Sequence, residues 1–354
     1  MIKKLLLLLT TIVMIFSLSL SAQEVDSDDS GLLGDDFRVT FDGEINTGGS
    51  INTNGDTSAD LRGSYVSLSI EWKEKIRAVI TAKLDALFKE GKVEFNDDFS
   101  LGEFIKEAYI EIREVGGSPV AIIIGKQPMA FGQNIQAMPF FESNPLANLQ
   151  EIDEVYGITV DLTEGLFGIF DQAEVSIFET EAGDMTLGKI DGVSIRLSKM
   201  ITDQWLLTLS HAELGENDQG RERRTSVGLV GETTDGTLVG WVEGLYFSNN
   251  PEYPNSSFGI TIGGMMRVHE TTDVIVEYNW VERELQEIGI GVRTALTRNL
   301  SVGAEVRYRN YVERDNEISF GITLTYTFGN SGMSNNEVFL FGSDESDEFE
   351  DEDL

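Results

Sequence analysis

The chain has 354 residues with no cysteine, 36 glycines and six prolines, and its formal net charge at pH 7 is −35. This acidic balance excludes nucleic acid as a natural partner, because phosphate binding requires a basic surface. It favours cations, either inside a pore or bridging to anionic lipid headgroups. Without disulfides, the fold has to be stabilised by backbone pairing and by its core.

The first 22 residues have the pattern of a secretory signal peptide. Lys3 and Lys4 precede an apolar run from Leu5 to Leu20, and Ser21-Ala22 fits a cleavage site. A single membrane helix is the alternative, but this run is shorter than the roughly 20 residues that a span needs. We therefore expect residues 1–22 to be a signal peptide and residues 23–36 to be an acidic N-terminal segment.

From Phe37 onward, apolar and polar residues alternate with the period of a half-buried β-strand. Phe37, Val39 and Phe41, for example, alternate with Arg38 and Thr40. Segments with this period recur along the chain, separated by polar turns, and they predict 16 strands. The predicted strands are 37–45, 64–72, 76–88, 106–113, 119–127, 156–162, 172–179, 192–198, 204–212, 225–232, 237–247, 257–268, 273–281, 287–294, 300–311 and 317–328.

This pattern predicts an all-β fold, a transmembrane antiparallel β-barrel of about 16 strands over residues 37–328. A closed barrel gives every backbone amide a partner in lipid without leaving a strand edge. A soluble β-sandwich would alternate too. However, the strands are long for a sandwich, and long and short connections alternate as in outer-membrane barrels. Counts of about 14 or 18 strands stay open, and an even count places both termini in the periplasm.

Aromatic residues at the strand ends predict two girdles at the membrane surfaces. The periplasmic girdle is predicted from Trp72, Trp205, Tyr326 and Phe328. The outer girdle is predicted from Tyr246, Phe247, Phe258 and Trp280. Scatter is the alternative, since strands favour aromatic residues in any case.

The longest connection runs from Pro128 to Val155 and is too apolar for a free surface loop. We expect this third long loop to fold toward the lumen and pack on the inner wall. Its acidic residues would then line a narrowed pore. They are Glu142, Glu151, Asp153 and Glu154.

Sixteen strands with a long third loop resemble the general porin architecture. The stretch Glu107–Gly132 is also similar to a segment of phosphate-selective and siderophore-type porins, in which two strands lead into a basic residue and a "PFG"-like turn. Gly125, Lys126, Gln127, Phe131 and Gly132 carry this likeness. The resemblance implies passive diffusion of small hydrophilic solutes. The acidic excess departs from the family and argues against anion selectivity.

Charged residues on the polar strand faces predict the lumen lining, because Arg or Lys facing lipid at mid-depth would cost about 2–4 kcal/mol. Opposed charges across a constriction sort polar solutes. We predict a constriction formed by Lys83, Arg113 and Lys126 on one side and Glu142, Glu151 and Asp153 on the other. Secondary lumen residues are Arg77, Arg196, Arg293 and Arg307. Alternatively, many of these charges pair along the wall and only keep the lumen wet.

The sequence argues against an enzyme, a metal site and a cofactor. The only two histidines, His211 and His269, fall on opposite rims in this topology. No metal-ligand spacing and no glycine-rich phosphate loop appears. The 14 residues between the signal peptide and the first strand are too few for a plug domain.

The segment from Gly329 onward holds nine acidic residues and no basic residue. Like charges repel, so residues 329–354 are predicted to be a disordered periplasmic tail. The sequence thus predicts an outer-membrane porin for small hydrophilic solutes and ions, with a preference for cations. Its partners would be outer-membrane lipid and these solutes, with monomer and homotrimer both open. The alternative is a structural barrel that links the outer membrane to periplasmic partners through the acidic tail.

Overall fold

A computed structural model describes residues 36–61, 63–84, 88–89, 92–93, 104–133, 145–152, 154–163, 169–180, 190–218 and 220–329. The predicted signal peptide, residues 23–35 of the predicted acidic segment and the tail from residue 330 lie outside the described residues. So do Glu142 and Asp153 of the predicted constriction.

Strands dominate the described residues, accompanied by a 3-10 turn at Val115–Gly117 and a short helix, α1, at Ala147–Gln150. No helix in the described part of the chain is long and apolar enough to cross a membrane. The strands are β1 Phe37–Asn52, β2 Thr57–Asp60, β3 Tyr65–Trp72, β4 Ile76–Lys83, β5 Phe88–Lys89, β6 Lys92–Val93, β7 Ile105–Ile112, β8 Val120–Gln127, β9 Val155–Leu162, β10 Gln172–Glu179, β11 Gly192–Thr202, β12 Trp205–Asn217, β13 Gly220–Glu232, β14 Leu238–Ser248, β15 Phe258–His269, β16 Thr272–Val281, β17 Leu285–Thr297, β18 Leu300–Tyr311 and β19 Glu317–Phe328.

The strands close into an antiparallel barrel. Each barrel strand pairs with its sequence neighbours, and β1 pairs with β19 from Gly43 opposite Phe328 to Asn52 opposite Ser319. Seventeen strands belong to this sheet. Since β2 and β3 both pair with β1 and follow each other along it, they act as one barrel strand. The short β5 and β6 pair only with each other. The barrel therefore has 16 strands, which confirms the predicted fold class and count.

Most barrel strands present an apolar face outward and a largely polar face to the interior. In β16, Val276 and Tyr278 are 44% and 38% exposed on the outer face, whereas the inward Glu277 and Asn279 are almost fully buried. This is the pattern that lipid outside and polar groups inside impose on a membrane barrel.

Aromatic contacts mark both ends of the barrel wall. At the end that carries the chain termini, Phe37 stacks on Trp72 with ring centroids 6.2 Å apart. At the other end, Phe258 and Trp280 meet edge to face at 6.0 Å. The predicted girdle position of Phe247 is wrong. Its side chain is fully buried in the interior, because the odd-numbered residues of β14 face inward.

Several strand ends differ from the prediction. The strand predicted to reach Phe88 ends at Lys83, whereas β1 continues to Asn52. Strands β12 and β13 extend to Asn217 and from Gly220, respectively, into a region where the sequence predicted a loop. These extensions lie at one end of the barrel and carry polar residues on both faces, so the apolar alternation that reveals a strand is missing there.

The turn between β13 and β14, at the end with the chain termini, is organised around Asp235. Its Oδ1 accepts hydrogen bonds from Thr233 Oγ1 at 2.6 Å, Thr237 Oγ1 at 2.8 Å and the Thr237 backbone N–H at 3.1 Å. These bonds stabilise the carboxylate and lower the pKa of Asp235 to about 2.

Candidate functional site

The described parts of the connection between β8 and β9 lie against the inner wall of the barrel. The Gly132 backbone N–H donates to Ser210 Oγ on β12 at 3.0 Å. On the return path, Arg224 of β13 donates to the Glu151 carbonyl at 3.0 Å. The prediction that the whole third loop folds toward the lumen stays a prediction, since residues 134–144 are outside the described part.

An apolar cluster joins this connection to the wall. The connection contributes Met129, Phe131, Leu146, Leu149 and Ile152. The wall contributes Val155, Phe178, Ala212, Leu245, Phe247, Val281 and Leu285, which come from strands β9 to β17. Burial of these side chains stabilises the packed position of the connection, at roughly 25 cal/mol per Å² of apolar surface.

Two glycines of the wall allow this close approach. A Cβ atom at Gly228 would lie 2.5 Å from Cδ of Gln133, and a Cβ at Gly259 would lie 2.7 Å from Cδ2 of Leu146. A larger residue at either position would force the side chain of Gln133 or Leu146 to move. These glycines therefore belong to the site even though they carry no functional group.

Glu243 of β14 holds both arms of the connection. Its carboxylate accepts hydrogen bonds from the Gln133 backbone N–H at 3.2 Å and from Gln150 Nε2 at 2.9 Å, as well as from Ser226 Oγ on the neighbouring strand. The residue is only 2% exposed. Among the described residues, no basic side chain lies within 4.0 Å of it, so neutral donors alone compensate this buried carboxylate.

A tyrosine closes the contact near the start of α1. Tyr253, in the connection between β14 and β15, donates its hydroxyl to the Pro145 carbonyl at 2.8 Å. Burial raises the pKa of Tyr253, so the hydroxyl keeps the proton that it donates.

Two of the predicted constriction residues meet at the end of this connection. Lys83 and Lys126 both form ion pairs with Glu154, at 3.5 Å for Lys126. Lys126 is 3% exposed and also donates to the Ile105 carbonyl at 2.6 Å. Glu154 adopts a left-handed backbone conformation with φ 59°. These contacts link β4, β7 and β8 at the place where the connection returns to the wall.

Arg113 lies apart from these two lysines. It follows β7 at the end with the chain termini and pairs with Glu71 at 2.7 Å and with Glu111 at 2.9 Å. The eight-residue length of β7 corresponds to about 26 Å between this end and the Ile105 carbonyl that Lys126 contacts. The structure therefore does not bring Arg113 and Lys126 together.

The four predicted secondary lumen residues all pair along the wall. Arg77 lies 4.0 Å from Glu111, Arg196 pairs with Glu174, and Arg293 lies 3.2 Å from Asp273. The fourth, Arg307, pairs with Glu287 and Glu305. Pairing along the wall was the alternative that the sequence left open for these residues.

The network around Arg307 is the most deeply buried ionic group among the described residues. Arg307 is 1% exposed and donates to Glu287 and Glu305, both at 2.7 Å. Arg309 extends the network from Glu287 at 2.5 Å to Glu317 at 3.2 Å. Such a network is stable only while every charge keeps its partners.

Acidic side chains are in excess on the inward faces. Six of them have no basic group within 4.0 Å among the described residues, and they are Glu44, Glu107, Asp161, Glu232, Glu243 and Glu277. Of the inward basic residues of the described strands, Arg38 at the rim lacks such a pair, whereas the others are paired with acids. Among the described residues, the inward faces therefore hold more acidic than basic side chains.

Sequence reasoning missed the groups that anchor the connection, above all Gln133, Gln150 and Glu243 as a set. One signal was present in the sequence. Glu243 stands alone among apolar residues in "LVGWVEGLYF", and a lone charge on an apolar face needs a specific set of partners.

No protein-family model and no curated protein matches the chain in sequence. The structure matches solved outer-membrane porins and channels, and it shares their fold. The outer membrane channel DcaP of Acinetobacter baumannii matches with a TM-score of 0.62 at 11% identity, over 85% of this chain and 100% of that one. An anion-selective porin from Comamonas acidovorans matches with a TM-score of 0.56 at 11% identity, over 82% and 100%. OmpT, an outer membrane protein of Vibrio cholerae in its trimer form, matches with a TM-score of 0.57 at 13% identity, over 83% and 100%.

Proposed function

We propose that this protein is a non-enzymatic outer-membrane porin that lets small hydrophilic solutes and ions diffuse passively. The observation that carries the proposal is the closed 16-strand barrel with an apolar outer face and a polar interior. An apolar outer face requires lipid, and a polar interior suits a wet path. The porin fold of the matched structures supports the same class of function.

The diffusion path runs along the wall formed by β1, β3, β4 and β7. Apart from Glu154, which pairs with Lys83 of β4 and Lys126 of β8, the described residues of the long connection contact inward groups of β9 to β17, on the other side of the barrel. These contacts narrow that side, so the solutes in this proposal pass along the opposite wall. The predicted constriction charges Lys83, Lys126 and Glu151 belong to this proposal and sit where the connection rejoins the wall.

The channel prefers cations. Apart from Arg38 at the rim, the inward basic groups of the described strands are paired with acids, and a paired arginine offers little net charge to a passing ion. Glu44 on β1 and Glu107 on β7 lie on the open wall without a basic partner within 4.0 Å among the described residues. Uncompensated carboxylates along a pore attract cations and repel anions.

We place the chain termini and the short turns in the periplasm and the long connections outside the cell. Short periplasmic turns and longer outer loops are the rule for such barrels. A homotrimer is the assembly that we propose, and the trimer form of the matched Vibrio cholerae protein supports it.

Two measurements test the proposal. Liposomes containing the refolded barrel should swell in isotonic solutions of small neutral sugars and not in large ones; no swelling would contradict passive diffusion. In a planar bilayer under a KCl gradient, the reversal potential should show cation preference. The double variant Glu44→Gln/Glu107→Gln should weaken that preference, while Glu317→Gln, whose residue lies in the Arg309 network, should change it less.

A further inference from the structure

A pair of arginines points away from the channel, on the outer face of β13. In the stretch "RERR", Arg221 and Arg223 are exposed on the outer face, while Glu222 and Arg224 are buried on the inner face. The register to β14 continues without a break from Arg223 to Glu232, so this alternation is fixed by the sheet. Arginine on the lipid-facing side of a barrel is costly at mid-depth and is tolerated only near the membrane surface.

The level of these arginines follows from their neighbours. Arg223 lies two residues beyond Thr225, which pairs with Tyr246, and Tyr246 pairs with Phe258 of the outer girdle. Two strand residues span about 7 Å. The arginines therefore stand just outside the aromatic belt, at the height of lipid headgroups.

The outer surface below the arginines is suited to lipid chains. Tyr246 and Val227 are each 52% exposed on this face. A Cβ atom at Gly244, which pairs with Val227, would have no closer neighbour than Phe258 Cζ at 3.7 Å, so the surface there is recessed. From the rim of the barrel toward the middle of the membrane, the outer face thus changes from arginine to an aromatic residue and then to apolar residues.

The guanidinium groups keep donors free for a ligand. Arg221 and Arg223 both pair with Glu213, at 3.4 Å and 3.1 Å, and their side chains remain 42% and 57% exposed. A guanidinium has five N–H donors, and these contacts leave most of them for another acceptor. Their planar fork matches a phosphate group, with which arginine forms charge-assisted hydrogen bonds.

We propose that Arg221 and Arg223 bind the phosphate group of an acylated glycolipid in the surrounding leaflet. The arginines lie at the height of lipid headgroups and have free N–H donors, and the surface below them is apolar. Together these features favour a ligand with both a phosphate group and acyl chains. Glu213 shares the arginines with the phosphate and weakens its binding, and Glu216, opposite Arg221 in the register, adds negative charge. The assignment to the outer leaflet rests on the orientation proposed above, whereas phosphate binding does not.

The test uses the full chain in neutral detergent with a chelator present, so that no divalent cation can bridge acids to the lipid. Native mass spectrometry counts bound lipid at increasing concentrations of diphosphoryl lipid A or its dephosphorylated form. Arg221→Gln/Arg223→Gln should weaken binding of the phosphorylated lipid at least about tenfold and leave the dephosphorylated lipid unchanged. Glu213→Gln should tighten the phosphorylated lipid.

The matched control is Arg298→Gln, an exposed arginine in the turn between β17 and β18 at the opposite end of the barrel. It should bind like the wild type. Equal loss in the control, equal affinity for both lipids, or unchanged binding in the double variant would overturn the proposal. Glu213→Gln should strengthen binding of the phosphorylated lipid, whereas the double arginine variant should weaken it. A general loss of folding would weaken binding in both variants and so cannot explain this pair of results. Channel conductance of the double variant should stay normal, which separates this result from a failure of the porin proposal.

Discussion

Replacing Glu243 with glutamine should release the long connection from the inner wall. The carboxylate accepts one hydrogen bond from each arm, at Gln133 N and Gln150 Nε2. A hydrogen bond to a charged group contributes about 1.5–3 kcal/mol. Glutamine keeps the shape of glutamate but loses the charge. Its amide nitrogen replaces one carboxylate oxygen and cannot accept a hydrogen bond from the N–H group that faces it. The glutamine amide oxygen can still accept one of the two bonds, so losing the other bond and weakening the retained one destabilises the packed position by about 3 kcal/mol.

Hydrogen exchange measures this change directly. A loss of about 3 kcal/mol corresponds to roughly 100-fold faster exchange through local opening, and the peptide containing the Gln133 amide reports it. Glu277→Gln is the matched control, since Glu277 is equally buried, faces inward and bonds Asn279 of its own strand. Unchanged exchange in Glu243→Gln, or the same acceleration in the control, would refute the proposal that Glu243 holds the connection against the wall.

Three further predictions concern stability, measured as urea midpoints of the refolded barrel. Arg307→Met should cost about 3–5 kcal/mol, because it removes the buried cation that pairs with both the Glu287 and Glu305 carboxylates; the partly exposed Arg293→Met should cost less, and equal costs would contradict the burial argument. Phe328→Ala should cost about 3 kcal/mol, because Phe328 is 6% exposed at the closing strand pair; a neutral result would mean that this contact does not support closure. The pKa of Asp235 is lowered, so its carboxylate stabilises the fold above about pH 4 and loses this effect as the pH falls to about 2. The difference between wild type and Asp235→Asn should vanish over that interval, and a pH-independent difference would contradict it.

The barrel itself could be predicted because lipid imposes a simple rule on each strand. Strand β19, for example, alternates between apolar and polar or small residues along its whole length. Beyond the lipid-facing part of the wall, this rule no longer applies, and the strand ends could not be predicted from the sequence. The β12–β13 hairpin extends past the aromatic belt with polar residues on both faces, so nothing in residues 213–224 distinguishes strand from loop.

The interior was harder to predict because contacts there depend on the path of a long connection. Strand β14 is apolar on both faces, so the sequence could not show that Phe247 lies inside and Tyr246 outside. The sequence did mark Lys83 and Lys126 as basic wall residues near the acidic end of the connection. Their shared partner, Glu154, depends on where that connection returns to β9, which has no local sequence signal.

Single-channel recording of the refolded full-length barrel in a planar bilayer tests whether the protein forms an open, cation-preferring channel. We predict steady conductance that is present without any added ligand, rises with KCl concentration and gives a reversal potential on the cation-selective side. Steady conductance with anion preference would keep the porin and contradict the role assigned to the unpaired carboxylates. A correctly folded barrel that conducts no ions would contradict the proposal that this protein is a diffusion channel.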